Sequence, residues 1–143
     1  MIVVVGSVNL DLVATVDRFP QPGETVPARG FTSNHGGKGA NQAVAASRLG
    51  GDVALITAVG SDRESGELLK TLADEGVDTS AALIVDGLTS GVAVITVDSV
   101  GENAIAVHPG ANGRRVLAAE SRILIERADV VLVQLEVPID TVI

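Results

Sequence analysis

A glycine-rich segment with one lysine, His35-Gly36-Gly37-Lys38-Gly39-Ala40-Asn41, precedes an alanine-rich stretch of helical character. Glycines allow the backbone to approach a ligand closely, and the unpaired N–H groups at the start of a helix favour oxygen-rich ligands. Lys38 and Asn41 add polar side chains to that backbone. The segment is therefore a candidate binding loop, although a glycine-rich turn with a solvated lysine would show the same pattern.

Two phosphate-binding loops of known glycine spacing do not match this segment. A P-loop would need glycine where Thr32 stands, and serine or threonine where Gly39 stands. The dinucleotide-binding fingerprint would need glycine at Gln42. The loop therefore belongs to another class of site.

Asn9 and Asp11 form a second polar group, close behind the apolar run Ile2-Val3-Val4-Val5. That run is short and β-branched, which predicts a buried parallel strand. At strand spacing the two side chains lie on one face just past the carboxyl end of this strand, where open α/β sheets bind ligands. An amide and a carboxylate together can bind neighbouring hydroxyl groups, although an Asx turn is the alternative.

Alternating strand and helix patterns predict an α/β fold with a parallel sheet flanked by helices. The helix after the glycine segment should end at Gly50-Gly51, and Ser61 with Glu64 should form a capping box for the next helix. Proline at 138 marks the start of a further helix. The predicted elements are a strand over 2–5, a helix over 40–49, a strand over 53–59, a helix with the stripe Leu68, Leu69, Leu72 and Ala73, a helix over 117–127 and a strand over 130–135.

Two β-rich segments, about 12–33 and 82–108, do not fit this alternation. The first is interrupted by prolines, and the second contains strand-like runs at 82–85, 92–97 and 104–107 separated by turn residues. We expect them to pair into a small antiparallel sheet inserted in the α/β domain of which residues 1–143 form the amino-terminal part. Ordinary surface hairpins would give the same pattern.

Composition restricts the function classes. The net charge of −8 argues against a nucleic-acid surface, and the absence of cysteine excludes disulfides and thiolate chemistry and fits the cytoplasm. Neither a signal peptide nor a membrane span is expected. His35 and His108 have no partners at ligand spacing, so no metal site is expected, and Phe19 and Phe31 should pack within the small sheet.

Several motifs in a fixed order closely resemble the amino-terminal half of the ribokinase family of carbohydrate and nucleoside kinases. The resemblance covers essentially the whole chain, and the Gly-Gly-Lys-Gly-Ala-Asn segment is a signature of that family. It implies a ribokinase-like fold in which the small sheet is a lid over the sugar. The matching segments are 5–11, Pro22-Gly23-Glu24-Thr25, 36–43, 58–62, Gly101-Glu102-Asn103, Gly110-Ala111-Asn112 and Gln134-Leu135-Glu136.

The resemblance implies that one group of residues surrounds a sugar. In that group Asp11 would accept hydrogen bonds from two hydroxyls, the asparagines would bridge hydroxyls, and Lys38 would donate to a ring-proximal oxygen. Glu136 would lie at the carboxyl end of its strand, on the same rim as Asn9. The residues are Asn9, Leu10, Asp11, Gly37, Lys38, Gly39, Ala40, Asn41 and Glu136.

The implied reaction is transfer of the γ-phosphoryl group of ATP to a primary sugar hydroxyl, with Mg²⁺ and a monovalent cation such as K⁺. The family's aspartate base, its Gly-Ala-Gly-Asp loop and most of the ATP site are not found in this sequence, so no catalytic residue is assigned here and the chain alone should be inactive. Ribose is the expected sugar because aromatic residues for stacking on a base are scarce; deoxyribose, fructose and adenosine are alternatives. The expected partners are a second copy of the chain, bound through the lid, and a complementing carboxyl-terminal chain. The alternative function is that of a non-catalytic sugar-binding or interaction module.

Overall fold

The computed structural model describes residues 1–114 and 118–143. They form an α/β fold with a parallel sheet, a second mixed sheet and a two-stranded pair. The strands are β1 Ile2–Val5, β2 Asn9–Thr15, β3 Gly30–Gly36, β4 Val53–Ile56, β5 Ala58–Gly60, β6 Val77–Asp78, β7 Leu83–Val85, β8 Gly91–Val97, β9 Asn103–His108 and β10 Val130–Val133; the helices are α1 Lys38–Arg48, α2 Arg63–Asp74, α3 Ala119–Arg127 and α4 Ile139–Val142, with a 3-10 helix over Gly110–Gly113.

The main sheet is parallel in the order β10-β1-β4-β6. Its central strands bury both faces, as their continuous apolar sequences predict. Helices α1 and α2 contribute to the core on one face, around Val4 and Leu55. Residues of α3 pack against the other face, around Val3 and Ile56. The parallel sheet flanked by helices is therefore confirmed.

The second sheet has the order β3-β2-β8-β9 and corresponds to the predicted lid. Strands β2 and β3 pair antiparallel, as do β8 and β9, but β2 and β8 are parallel. The predicted antiparallel sheet is therefore a mixed one. The residues between Thr15 and Gly30, which carry the prolines, contain no strand.

The second sheet begins earlier in the sequence than the pattern predicted. Asn9 and Asp11 lie within β2, not in a loop after β1. The alternation of polar and apolar residues in Asn9-Leu10-Asp11-Leu12 is the signal of a half-exposed strand, and it begins soon after the apolar run of β1 ends. The glycine segment likewise begins inside β3, which ends at Gly36.

Strand β7 was assigned to the wrong sheet. It pairs in parallel with β5 and belongs beside the main domain, because the strand predicted over 53–59 is interrupted at Thr57 and its second part turns to a new partner. The predicted capping box is also wrong. Asp62 caps α2 by accepting a hydrogen bond from the Ser65 N–H at 3.1 Å, while the Ser61 hydroxyl accepts one from the Gly87 N–H at 3.0 Å.

Near the end of the chain, strand β10 and helix α3 follow the prediction with shifted bounds. The predicted strand over 130–135 ends at Val133, and helix α4 follows Pro138 as expected. The start of the helix predicted over 117–127 falls partly on residue 117, outside the described residues. Among the helices of the described ranges, none has the length and apolar character needed to cross a membrane.

Candidate functional site

A cavity of about 290 Å³ lies between the carboxyl end of the main sheet, the start of α1 and one face of the second sheet. Polar groups line one side, and aliphatic side chains of β8 and β9 line the other. The lining residues are Asn9, Asp11, Gly37, Lys38, Asn41, Ala93, Ile95, Ile105, Val107 and Glu136.

Strand β2 places Asn9 and Asp11 on the cavity side of the second sheet. Asp11 is in register with Ala93 of β8, which is in register with Val107 of β9. Residues in register on neighbouring strands share a face, so the carboxylate and the aliphatic wall belong to the same surface. Leu10 alternates to the opposite face and does not line the cavity.

Asn9 is held by a second asparagine that lies far away in sequence. The Asn112 Nδ2 donates to Asn9 Oδ1 at 2.8 Å and to the Val8 carbonyl at 3.0 Å, while Asn112 Oδ1 accepts from the Val8 N–H at 3.0 Å. Both side chains are buried, with 5% of Asn9 and 2% of Asn112 exposed. The 3-10 helix Gly110–Gly113 thus fixes the first residue of β2.

Two glycines leave the space that this side of the cavity needs. A Cβ on Gly91 would lie 2.1 Å from Asn9 Oδ1 and 2.2 Å from Asn112 Nδ2. A Cβ on Gly36 would lie 2.0 Å from Asp11 Oδ2. Glycine at both positions is therefore required for the side chains of Asn9 and Asp11 to take their places.

The start of α1 packs directly on the loop that follows β1. The Ala40 N–H donates to the Ser7 carbonyl at 3.0 Å, and a Cβ on Gly39 would lie 2.5 Å from the Gly6 carbonyl carbon. Gly37 adopts φ +97°, which disfavours other residues, and its missing side chain faces the backbone of Val8. The glycine segment thus brings Lys38 and Asn41 beside β2.

Glu136 joins the site from the loop after β10. It forms an ion pair with the Lys38 ammonium and accepts a hydrogen bond from the buried Ser7 hydroxyl at 2.7 Å. The three groups come from the loop after β1, the start of α1 and the loop after β10. These segments meet at the carboxyl edge of the main sheet, where ligands of open α/β sheets bind.

The two carboxylates of the site titrate in opposite directions. Burial, and then the negative charge of Glu136, raise the pKa of Asp11 above its ordinary value. Burial also opposes ionisation of Glu136, but hydrogen bonds from Lys38 and Ser7 together hold the pKa of Glu136 below its usual value. Glu136 is thus stabilised as an anion by its neighbours, while Asp11 is an acceptor with few partners in the protein.

Of the residues expected around a ligand, the structure brings Asn9, Asp11, Gly37, Lys38, Asn41 and Glu136 to one cavity. Leu10, Gly39 and Ala40 lie outside its lining, and the last two pack α1 against the main sheet. No separate role was assigned to Asn112 or to Ser7 from the sequence. The Gly110-Ala111-Asn112 motif was the available signal for the former; nothing in the sequence indicated its pairing with Asn9.

A second cavity, of about 320 Å³, lies on the other side of α1, between that helix and α2. It shares Asn41 with the first cavity and has the Arg48–Glu75 ion pair among its lining residues. The remaining lining is largely aliphatic. Its other polar side chains are His35 and Thr71, and its two charged groups are already paired with each other.

Within residues 1–114 and 118–143, no group of three or more His, Cys, Asp or Glu side chains could hold a metal ion. The carboxylates of Asp11 and Glu136 are the acidic groups of the cavity, and Glu136 is already paired with Lys38. These residues therefore do not fit a resident cation. The arrangement is instead suited to a neutral ligand that offers several hydroxyl groups.

Comparison with protein families agrees with this geometry. Residues 1–141 match the family described as pfkB family carbohydrate kinase. The chain is 40% identical over 141 residues to a ribokinase of Haemophilus influenzae, covering 97% of this chain and 46% of the relative. It is 43% identical over 143 residues to the Bacillus subtilis ribokinase, covering 99% and 48%. A deoxyribokinase of Salmonella typhi is 37% identical over 148 residues, covering 99% and 47%.

Solved structures give the same result. The ribokinase of Thermotoga maritima superposes with a TM-score of 0.88 at 37% identity, covering 99% of this chain and 47% of that one. The ribokinase of Arabidopsis thaliana complexed with ribose and ATP superposes with a TM-score of 0.86 at 32% identity, covering 99% and 46%. The chain spans about half the length of the relatives it matches. It belongs to the pfkB family of carbohydrate kinases and has the ribokinase fold.

Proposed function

We propose that this pfkB-family chain is the sugar-binding half of an ATP-dependent kinase that phosphorylates the primary hydroxyl of ribose. The observation that supports this most is the convergence of Asn9, Asp11, Lys38, Asn41 and Glu136, from separate segments, on one cavity. Such a set offers hydrogen-bond donors and acceptors in the numbers that a polyhydroxylated ligand needs.

The cavity favours a small sugar over a nucleoside. Its apolar wall consists of Ala93, Ile95, Ile105 and Val107, which can contact the carbon skeleton of a sugar but offer no ring for stacking on a base. The relatives include ribokinases and a deoxyribokinase, which makes deoxyribose the next candidate. Ribose is preferred because the polar side of the cavity can also bind the one hydroxyl that deoxyribose lacks.

In the proposed reaction the residues of this chain bind and orient the sugar. Ionised Asp11 accepts hydrogen bonds from two hydroxyls, Asn9 and Asn41 hold neighbouring oxygens, and Lys38 donates to an oxygen near the ring. Fixing the sugar in this way prepares its primary hydroxyl for in-line attack on the γ-phosphorus of ATP. Mg²⁺ would neutralise charge on the phosphates, and we place the catalytic base and most of the sites for Mg²⁺ and K⁺ outside this chain.

The experiment that tests this proposal is a calorimetric titration of the chain with ribose, deoxyribose and adenosine. The titration is repeated after addition of the carboxyl-terminal half of the Bacillus subtilis ribokinase, and ATP-dependent phosphate transfer is measured in the same mixture. We expect ribose to bind most tightly and transfer to require both halves. Absence of ribose binding in both states would refute the proposal.

A non-catalytic sugar-binding module is the second candidate, favoured by one observation. All four residues of β10 are exposed although the strand belongs to a parallel sheet, so its surface is available to another chain. Ribose binding without any phosphate transfer, in the presence of the complementing half, would favour the module over the kinase.

A further inference from the structure

We infer that Asn112 is a positioning residue that fixes the orientation of the Asn9 amide, so that Asn9 turns its hydrogen-bond donor, Nδ2, to the ligand. The role of Asn112 follows from the backbone of one residue. Val8 presents its N–H and its carbonyl to the same side chain, at 3.0 Å each. Since an N–H can only donate and a carbonyl can only accept, the Asn112 amide has a single allowed orientation.

That orientation determines the orientation of the next amide. With Oδ1 of Asn112 facing the Val8 N–H, its Nδ2 uses one proton on the Val8 carbonyl and the other on Asn9, 2.8 Å away. Asn9 must therefore turn its own oxygen to Asn112. The Asn9 Nδ2 is left for the cavity, and it donates to no other group in the described part of the chain.

The packing around Asn9 and Asn112 prevents their amides from taking another orientation. Gly91 is in register with Asn9, and a Cβ there would fall within 2.2 Å of both amides. The start of β8 is itself held in place, because Asp62 accepts hydrogen bonds from the Ser90 N–H at 2.6 Å and from the Ser90 hydroxyl at 2.9 Å. The pair of asparagines is thus enclosed between β2, β8 and the 3-10 helix.

The consequence is a specificity rule for the ligand, which rests on the proposed sugar site. The ligand atom beside Asn9 must be a hydrogen-bond acceptor, such as a hydroxyl oxygen. A buried donor opposite the Asn9 amide would leave two donors facing each other, which costs affinity.

The first test uses the unmodified chain without any ligand, by NMR of side-chain amide exchange. We expect the Nδ2 protons of Asn112 to be protected and those of Asn9 to exchange rapidly. The reverse pattern, or equal exchange of both, would overturn the inference. This measurement does not depend on the identity of the ligand, so it still decides the matter if the proposed function fails.

The second test is Asn112→Asp, whose carboxylate accepts but cannot donate. Asn9 should then turn its Nδ2 towards Asp at 112 and present its oxygen to the cavity, so its amide protons become protected. A merely structural role for Asn112 would lower stability without this reversal. Asn103→Asp, on the exposed strand β9, makes the same change of charge away from Asn9 and is the matched control.

The third test measures ribose against 2-deoxy-2-fluororibose and 3-deoxy-3-fluororibose, in whichever form of the protein binds ribose. Fluorine can accept a hydrogen bond weakly but cannot donate one. In Asn112→Asp the preference for ribose over at least one fluorinated sugar should rise about tenfold. The reason is that the Asn9 oxygen then faces the cavity and needs a hydrogen-bond donor from the ligand, which fluorine cannot supply. Unchanged preferences for both analogues, together with folded protein, would overturn the rule. If the variant does not fold, the exchange pattern of the unmodified chain decides.

Discussion

At Asp11 the ionised carboxylate that ligand binding requires is the form that lowers the stability of the fold. Burial and the nearby charge of Glu136 raise its pKa, so the folded chain resists its ionisation. The stability associated with protonated Asp11 is fully present below its unfolded pKa and is lost as pH rises through the folded pKa. At neutral pH the carboxylate therefore lowers the free energy of unfolding, while it supplies the strongest acceptor of the proposed site.

We predict that Asp11→Asn weakens ribose binding while slightly stabilising the fold. Loss of a charged acceptor should reduce affinity about 10- to 100-fold. The gain in the free energy of unfolding at pH 7 should be at most about 1 kcal/mol, because solvent screens this partly exposed group. Calorimetric titration and thermal unfolding measure the two effects. Asp86→Asn, in an exposed turn, should change neither; a variant at Asp11 that binds ribose normally would contradict the prediction.

Ser7 is expected to control the ionisation of Glu136. Its hydroxyl is buried and donates to the carboxylate at 2.7 Å. In Ser7→Ala the pKa of Glu136 should rise, because one of the groups that lowers it is gone. The stability contributed by ionised Glu136 is present above its unfolded pKa and is lost as pH falls through the folded pKa, so the acid limb of the stability curve should move to higher pH.

A ¹³C NMR titration of the Glu136 carboxyl measures this change directly. Loss of the hydrogen bond should also lower the free energy of unfolding at pH 7 by about 1 kcal/mol. Ser33→Ala, on the exposed part of β3, is the control and should leave the titration unchanged. An unaltered Glu136 titration in Ser7→Ala would contradict this role of Ser7 and leave Lys38 as the group that lowers the pKa of Glu136.

At the scale of elements, the contact between α1 and the loop after β1 determines the geometry of the site. Gly39 lies where an added Cβ would be 2.5 Å from the Gly6 carbonyl carbon and 2.6 Å from the Ser7 nitrogen. Real Cβ atoms do not approach backbone so closely, so the start of α1 would have to move. Lys38 and Asn41 would move with it.

We predict that Gly39→Ala destabilises the chain by several kcal/mol and abolishes ribose binding, through overpacking against backbone. Gly66→Ala is a matched control within α2, where an added Cβ meets nothing within 4 Å. There the change should stabilise the chain by about 1 kcal/mol, since alanine is the better helix former. Chemical denaturation of both variants measures the difference. Equal effects would show that α1 can shift without cost.

The sequence predicted these elements better where one interaction dominates than where two compete. Continuous apolar runs identified β1 and β4, because a buried parallel strand has no other requirement. The capping residue of α2 was assigned to Ser61, since local spacing cannot show that Asp62 also binds Ser90. Strand β7 was assigned to the lid because its apolar sequence suits either neighbour; its pairing with β5 depends on the break at Thr57.

The candidate site was likewise predicted where local sequence determines it and missed where distant contacts do. Short-range patterns identified Asn9 and Asp11 behind the first apolar run, and Lys38 and Asn41 within the glycine segment. The pairing of Asn9 with Asn112 joins residues 103 positions apart, and no local pattern encodes such a contact. The aliphatic wall was not predicted either, because it is defined by the register of β8 and β9 against β2.

At the scale of the whole molecule, the edge strand β10 leaves apolar side chains of the main sheet exposed. Its four residues are between 37% and 48% exposed, although they belong to an all-parallel sheet whose other edge strand is short. Parallel sheets are normally covered on both faces. Since the relatives that match this chain are about twice as long, a complementary half has an available surface here.

We predict that the carboxyl-terminal half of the Bacillus subtilis ribokinase associates with this chain through β10. Association should raise the midpoint of thermal unfolding by several degrees, because a partner that binds only the folded chain stabilises it. Val130→Lys and Val133→Lys introduce a charge on opposite faces of the strand and should each weaken the complex. Val100→Lys, in the exposed turn between β8 and β9, makes the same substitution outside the surface and should have no effect. Light scattering and thermal unfolding of the mixtures measure both outcomes. If the β10 variants bind the added half as tightly as Val100→Lys does, the contact lies elsewhere, and the exposed strand must be covered in some other way.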